Sequence, residues 1–484
     1  MRIIYIDIDC QRPDHLSCYG YHRKTSPNMD AIAEQGVRFT QCHCANSPCV
    51  PSRAALFSGR FGIHNGVLTH WGPGSDFRFP TPSGANFDDS MPMLTRHLRQ
   101  RGYKTVSFSS FADRHLAWWF AAGWSELHTF TEKRGNETAD EVNAAAIPWL
   151  RAHAAEDNYF LHLQYWDVHR VYRMPKKWAD TFADSPPPGW PDQAAIDSHQ
   201  SNHGPFSASL LFPRANRSPR DTMPDTVKTV EDWKHIVDGY DGSILYADHY
   251  IGQVFDVLEE AGVLDDTAII ISGDHGEGMG EFGIYGDHVC GCNAVHNIPM
   301  VVRWPGGASG EKPGLMYNLD LCPTLCELLD IPIPEGWDGQ SFAPAVRGDQ
   351  WQGRDHLVWD HALYSCQRVV RTQDYIYTRT FHPGLFPFER EMLHDAHTDL
   401  QQANNIASTH RQEVLEHSYL MQEWQHDQIG RHGAKVDPMQ FVVETGPWKY
   451  VALDPWLARL RQLGRDKDAE SIERWLATGD WQKR

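Results

Sequence analysis

Short apolar runs alternate with longer amphipathic stretches over the first two-thirds of the chain. Residues 3–8, 105–109, 159–164, 268–272 and 299–304 are brief and rich in β-branched or aromatic side chains, which predicts strands. Between them, 28–35, 91–101, 137–153 and 244–261 carry a helical period. In the last of these, Ile244, Leu245, Ile251, Phe255 and Leu258 share one face. Strand–helix alternation predicts an α/β fold, a large and mostly parallel sheet sandwiched by helices. After Gly348 the pattern changes. Residues 357–359, 368–371 and 375–380 read as strands of a smaller antiparallel sheet, followed by a helix over 410–425. The expected division is a main α/β domain over 1–350 and a C-terminal subdomain over 351–484. Within the first, 184–230 is polar, proline-rich and aperiodic, a long insertion that either shapes a pocket or merely elaborates the surface.

At 484 residues, 41% hydrophobic and 22% charged, the composition is that of a globular protein. The formal charge of −19 argues against a general nucleic-acid binder, which needs a basic face. An anionic substrate would have to be drawn in by local positive charge. The opening Met1-Arg2-Ile3-Ile4 reads as a strand and not a signal peptide, and no run reaches membrane-spanning length. Ten cysteines in so long a chain do not demand a disulfide scaffold, and the Cys42/Cys44 and Cys290/Cys292 pairs lack the Cys-x-x-Cys spacing of zinc sites. Free thiols in the cytoplasm are expected.

Four segments carry chemistry. The first strand runs into Asp7-Ile8-Asp9, placing carboxylates at a sheet's C-terminal edge, where α/β proteins build sites. Asp7 and Asp9 project to the same side, as metal ligands or as caps of loop amides. In Cys49-Val50-Pro51-Ser52-Arg53, Pro51 suits a first helical turn and Gly59 its end. Cys49 then sits at a helix N-terminus, a setting for an anion or a reactive thiolate, with Arg53 one turn along. The spacing is not the Cys-x5-Arg loop of thiol phosphatases. His169 follows a predicted strand, where an imidazole can protonate a leaving oxygen. Finally, Ile269-Ile270-Ile271-Ser272-Gly273-Asp274-His275-Gly276 ends a strand in a carboxylate and an imidazole, a metal-ligand pair or a plain turn.

Together, and in this order, these segments resemble the formylglycine-dependent sulfatases of the alkaline phosphatase superfamily. The resemblance rests on Cys49-x-Pro51-Ser52-Arg53-x4-Ser58-Gly59, the preceding Asp9 through Gly20, and the later Tyr165 through His169 and Ser272 through Glu277. It implies that Cys49 is oxidised to formylglycine by a formylglycine-generating or anaerobic maturation enzyme. It also implies that Asp9, Asp274, His275 and modified Cys49 hold one divalent cation, typically calcium, with manganese or magnesium as alternatives. Arg53 would steady the formylglycine diol, and His169 would bind sulfate or protonate the leaving alkoxide. Two departures stand out. Cys10 replaces an expected aspartate, leaving one metal oxygen missing or supplied by Asp7. Two lysines are also absent, and His115 and His288 are the imidazoles at the corresponding places. The expected substrate is a small sulfated saccharide, with Trp71 and Trp118-Trp119, near His64, Asn65 and His70, available to stack on sugar or to fill the core. Hydrolysis of phosphonate monoesters or phosphodiesters is the runner-up. A non-catalytic binding protein would have lost Cys49 or the carboxylates.

Overall fold

The computed structural model describes residues 1–78, 92–201, 223–448 and 452–479. Position 91 of the expected second helix and 202–222 of the expected insertion lie outside them. Thirteen strands organise the fold: β1 (Arg2–Ile8), β2 (Val37–Phe39), β3 (Asn46–Ser47), β4 (Lys104–Phe108), β5 (Glu126–His128), β6 (Tyr159–Tyr165), β7 (Thr267–Gly273), β8 (Met300–Arg303), β9 (Gly310–Lys312), β10 (Leu357–His361), β11 (Cys366–Arg371), β12 (Tyr375–His382) and β13 (Glu391–Asp395).

The central sheet has the order β9-β2-β8-β7-β1-β6-β4-β5. From β7 to β5 all neighbours are parallel, whereas β8 runs antiparallel to both β7 and β2. The expected mostly parallel sheet is therefore observed, with one interior strand, β8, reversed. Alternation along β1 sorts its side chains: Ile4, Ile6 and Ile8 enter one core, and Ile3 and Tyr5 the other. Asp7 continues the Ile3–Tyr5 face and so points to the second core, which also holds helix residues Cys49, Val50 and Ala54.

The helices that matter are α1 (Pro27–Gln35), α2 (Cys49–Ser58), α3 (Ala139–His153) and α4 (Val230–Glu260). The sequence placed the start of α4 near 244, fourteen residues too late. Its first half buries Gly239, Asp241, Gly242 and Ser243, polar and small positions that hide the apolar period, and Thr229 with Asp232 forms a capping box at the true start. Asp248 on α4 accepts from the backbone N–H groups of Asn28 (3.0 Å) and Met29 (2.9 Å), capping α1 from a neighbouring helix.

The second sheet, β13-β12-β11-β10-β3, takes its last strand from the segment just before Cys49. Ser47 Oγ bonds His296 Nε2 (2.8 Å) and His361 Nδ1 (2.9 Å), so that segment is pinned to both halves of the chain. No helix of the described residues is long and apolar enough to cross a membrane. Replacing Asp248 with Ala should strip α1 of its tertiary cap and cost about 2 kcal/mol, read as a lower thermal midpoint with unchanged activity per folded molecule.

Candidate active site

The site forms where β1 and β7 end together. Their parallel register sets Ile8 against Gly273, so the next residues, Asp9 and Asp274, emerge side by side. Helix α2 starts in front of them. It is buried throughout its length, has Pro48 at its N-cap, and ends at Gly59 in the left-handed conformation (φ 63°), as its sequence predicted. A Cβ on Gly59 would come within 2.7 Å of the Trp337 ring. The helix is tied to the sheet by Ser52, whose hydroxyl donates to the Asp274 carbonyl (2.6 Å) and accepts from Asn318 Nδ2 (3.1 Å).

Arg53, fully buried, faces three carboxylates. Its Nε and Nη2 donate to the two oxygens of Asp7 (2.7 and 3.0 Å), and its Nη1 donates to Asp9 (3.0 Å) and Asp274 (2.5 Å). Burial opposes charge on Arg53, Asp7 and Asp274. The two-point grip of Arg53, helped by His162, nevertheless holds Asp7 below the usual carboxylate range. Asp274 is pushed well up, by burial first and then by Asp9 and Asp7, against the pull of Arg53. Three carboxylates against one guanidinium leave an excess of buried negative charge, which a bound cation would neutralise. Both Asp7 oxygens already accept from Arg53, so the expected role of Asp7 as a spare metal oxygen is not what its contacts favour.

His275 is prepared as a neutral ligand. Burial and the neighbouring His288 lower it to about 3, and its Nδ1–H donates to the Gly276 carbonyl (2.8 Å). That leaves Nε2 buried without a hydrogen bond. Donor atoms of Cys49, Asp274 and His275 lie within 4.8 Å of one another. The residue types and the orphaned nitrogen fit a divalent cation.

Cys49 Sγ lies 3.3 Å from His70 Nε2 and 3.4 Å from His115 Nε2. Burial, then Asp9 and Asp274, push its thiol well above the ordinary range. The Cys49 end of α2 opens into a cavity of about 720 Å³ that also reaches His70, Trp71, Arg114, His115, His169, Arg173, Glu277, His288, Tyr364 and Trp448. The sequence-derived Cys49, His115, His169 and His288 thus meet in one place, with Asp9, Arg53, Asp274 and His275 packed beneath. His169 Nδ1 donates to the Arg170 carbonyl (2.5 Å), and burial followed by the Arg114 charge pushes it well down. His288 behaves oppositely. Burial disfavours its charge, but the hydrogen bond from Nδ1 to Glu277 (3.3 Å) and that carboxylate's charge outweigh it and raise His288.

Several residues were not legible as site groups. His70 drew notice only as a neighbour of Trp71, although it touches the Cys49 sulfur. Arg114 stacks over Trp166, and Arg134 donates to the Asp113 carbonyl (2.7 Å). Trp448 comes from far down the chain to meet Trp71, ring centroids 4.4 Å apart. Of the other noted aromatics, Trp119 is core and Trp118 is exposed outside the cavity lining. His64 instead pairs with Asp338 (2.6 Å).

Replacing Arg53 with Ala would strand three buried carboxylates, a loss of about 3–5 kcal/mol by analogy with other broken buried pairs. Soluble yield and thermal midpoint should both fall. A variant as stable as the parent would show that the guanidinium does not hold these groups together.

Residues 2–331 match the sulfatase family, and residues 280–427 match the C-terminal region of N-sulphoglucosamine sulphohydrolase. The chain is 22% identical to an N-acetylglucosamine-6-O-sulfatase of Bacteroides thetaiotaomicron, covering 84% of this chain and 82% of that one. A solved structure described as bound to its substrate, D-glucosamine-2-N,6-O-disulfate, superposes with a TM-score of 0.70 at 19% identity, over 90% of this chain and 99% of the other. A phosphonate monoester hydrolase of Agrobacterium radiobacter gives 0.68 at 22% identity, over 88% and 96%. With two-thirds of its length matched by the family, this chain belongs to the sulfatase family.

Proposed function

We propose that the chain hydrolyses the sulfate ester of a small saccharide, using Cys49 oxidised to formylglycine and one divalent cation. The observation that carries this reading is the placement of Cys49. It stands at the mouth of a buried helix, between two imidazoles, over excess negative charge, at the floor of a cavity.

As a plain thiol Cys49 is a poor nucleophile, because burial and two carboxylates disfavour its thiolate. That counts against a thiol-based phosphatase. A hydrated aldehyde at this position supplies two hydroxyls, one to displace the alcohol from sulfur and one whose deprotonation expels sulfate. Asp9, Asp274, His275 and the modified Cys49 would hold the cation, which would supply Lewis acidity toward the sulfate oxygens. His70 and His115, both kept neutral by burial and neighbouring positive charge, can accept a proton from a hydroxyl at Cys49. His288, favoured in its charged form by Glu277, is the better placed donor to the leaving alkoxide, which leaves His169, expected either to bind sulfate or to protonate that oxygen, the sulfate-binding role.

The cavity also answers the charge problem. Arg114 and Arg134 donate only to backbone carbonyls, with no carboxylate partner among the described residues. Both line the cavity together with Arg173. In a chain of charge −19 they form the local positive surface that an anionic substrate requires. Arg114, directly before His115, supplies a cation beside the position at which the resembled Gly-Lys-x-His pattern carries lysine and this chain carries Asp113. Trp71, Trp448 and Tyr364 form an aromatic wall suited to a sugar face. The sulfated glucosamine substrates named for the relatives support the same class.

Release of inorganic sulfate from sulfated mono- and disaccharides should be measured beside turnover of a phosphonate monoester and a phosphodiester. Sulfate release should dominate, vanish in Cys49→Ala, and accompany an aldehyde in the peptide bearing position 49. A dominant phosphonate rate, or full activity with an unmodified thiol, overturns the proposal. Because Glu277 keeps His288 protonated above the ordinary imidazole value, its acid form is lost only as pH rises through that raised value. Glu277→Gln should therefore move the alkaline limb of the kcat/KM profile to lower pH; an unmoved limb removes His288 from the donor role.

A further inference from the structure

Cys10 is held in a demanding position. It lies in the turn directly after Asp9 at φ 59°, a left-handed conformation that strains a non-glycine residue. Its N–H donates to Asp274 Oδ1 (3.1 Å) and its carbonyl accepts from the Tyr240 hydroxyl (2.7 Å), so the main chain is locked from both sides. The sulfur is 3.3 Å from Asp9 Oδ1. Sγ and ring nitrogens of His275 and His288 lie within 4.8 Å of one another, and a second such group joins Sγ to the Asp9 carboxylate and His169.

A buried thiol donating to a carboxylate accounts for the Asp9 contact alone. It does not account for His275, whose Nε2 is buried and lacks a hydrogen bond; the same imidazole belongs both to the Cys10 group and to the group containing Cys49 and Asp274. The two groups share His275, so a cation held by Asp9, Asp274 and that imidazole would have the Cys10 sulfur close at hand.

Calcium takes six to eight hard oxygen ligands. Thiolate and neutral imidazole instead favour zinc and the neighbouring first-row ions. We infer that Cys10 is a thiolate ligand of the metal site, and that this chain takes a thiophilic transition ion such as zinc in preference to calcium. On binding, the Cys10 S–H gives its proton to solvent and the sulfur forms a coordinate bond to the ion, with no change of oxidation state. The inference rests on the metal site described above, and it concerns the identity of the ion and not the substrate.

The test uses the full chain carrying Cys49→Ala, which removes the other nearby sulfur, stripped with a chelator and titrated with Co(II). A near-ultraviolet thiolate-to-cobalt charge-transfer band should appear at one equivalent, be displaced by zinc but not by equimolar calcium, and be lost when Cys10→Ser is added. Circular dichroism checks that each variant is folded. Cys10→Asp, which restores an oxygen, should reverse the preference toward calcium in direct metal-binding titrations. A cobalt complex without the band, or one equivalent of calcium retained by the parent protein on elemental analysis, overturns the inference. Sulfate release is scored separately. A zinc-loaded, Cys10-ligated protein that releases no sulfate refutes the proposed activity and leaves this inference standing; a sulfatase running on calcium does the reverse.

Discussion

Everything at this site depends on one buried guanidinium. Arg53 is the positive charge that lets Asp7, Asp9 and Asp274 occupy the dry interior at the end of the central sheet. Desolvating such a group is expensive, and the attraction within it offsets that cost only with near-complete hydrogen bonding, which Arg53 provides through its Nε and both terminal nitrogens. The arrangement also fixes geometry. Because the guanidinium projects from one turn inside α2, the same contacts that neutralise the carboxylates aim the N-terminus of that helix, and hence Cys49, over them.

Burial then gives neighbouring groups different tasks. His275, His70, His115 and His169 are all driven neutral by desolvation and surrounding positive charge, which suits ligands and proton acceptors. His288 alone of this group has a carboxylate at hydrogen-bond distance that reverses the effect. Four imidazoles around one cavity and a fifth beneath it thus differ in charge state through their partners and not through their chemical type. Farther out, Arg114 and Arg134 donate to backbone carbonyls and have no carboxylate partner among the described residues, so the cavity of an acidic chain carries local positive charge.

The C-terminal part is structurally continuous with this site. β3, immediately before Cys49, pairs with β10, and Ser47 bridges His296 and His361. Tyr364 and Trp448 complete the cavity wall from the same region. The segment that presents Cys49 is thereby clamped between the two sheets, which holds the start of α2 in place.

By itself, the sequence determined the elements whose periodicity is unbroken and the residues whose spacing is local. Apolar strand runs, Pro51 and Gly59 bounding α2, the Asp9 and Asp274 strand ends and the Cys49–Arg53 turn all follow from short-range rules. Where buried polar groups interrupt a pattern, as in the first half of α4, the period fails as a guide. What only the tertiary structure decided is everything set by partners distant in the chain. It committed Asp7 to Arg53, brought Cys10 beside His275 and His288, placed His70 on Cys49, and carried Trp448 to Trp71. The reason is physical: charge state, desolvation and coordination depend on which groups meet in space, and no residue's own identity or spacing specifies that meeting.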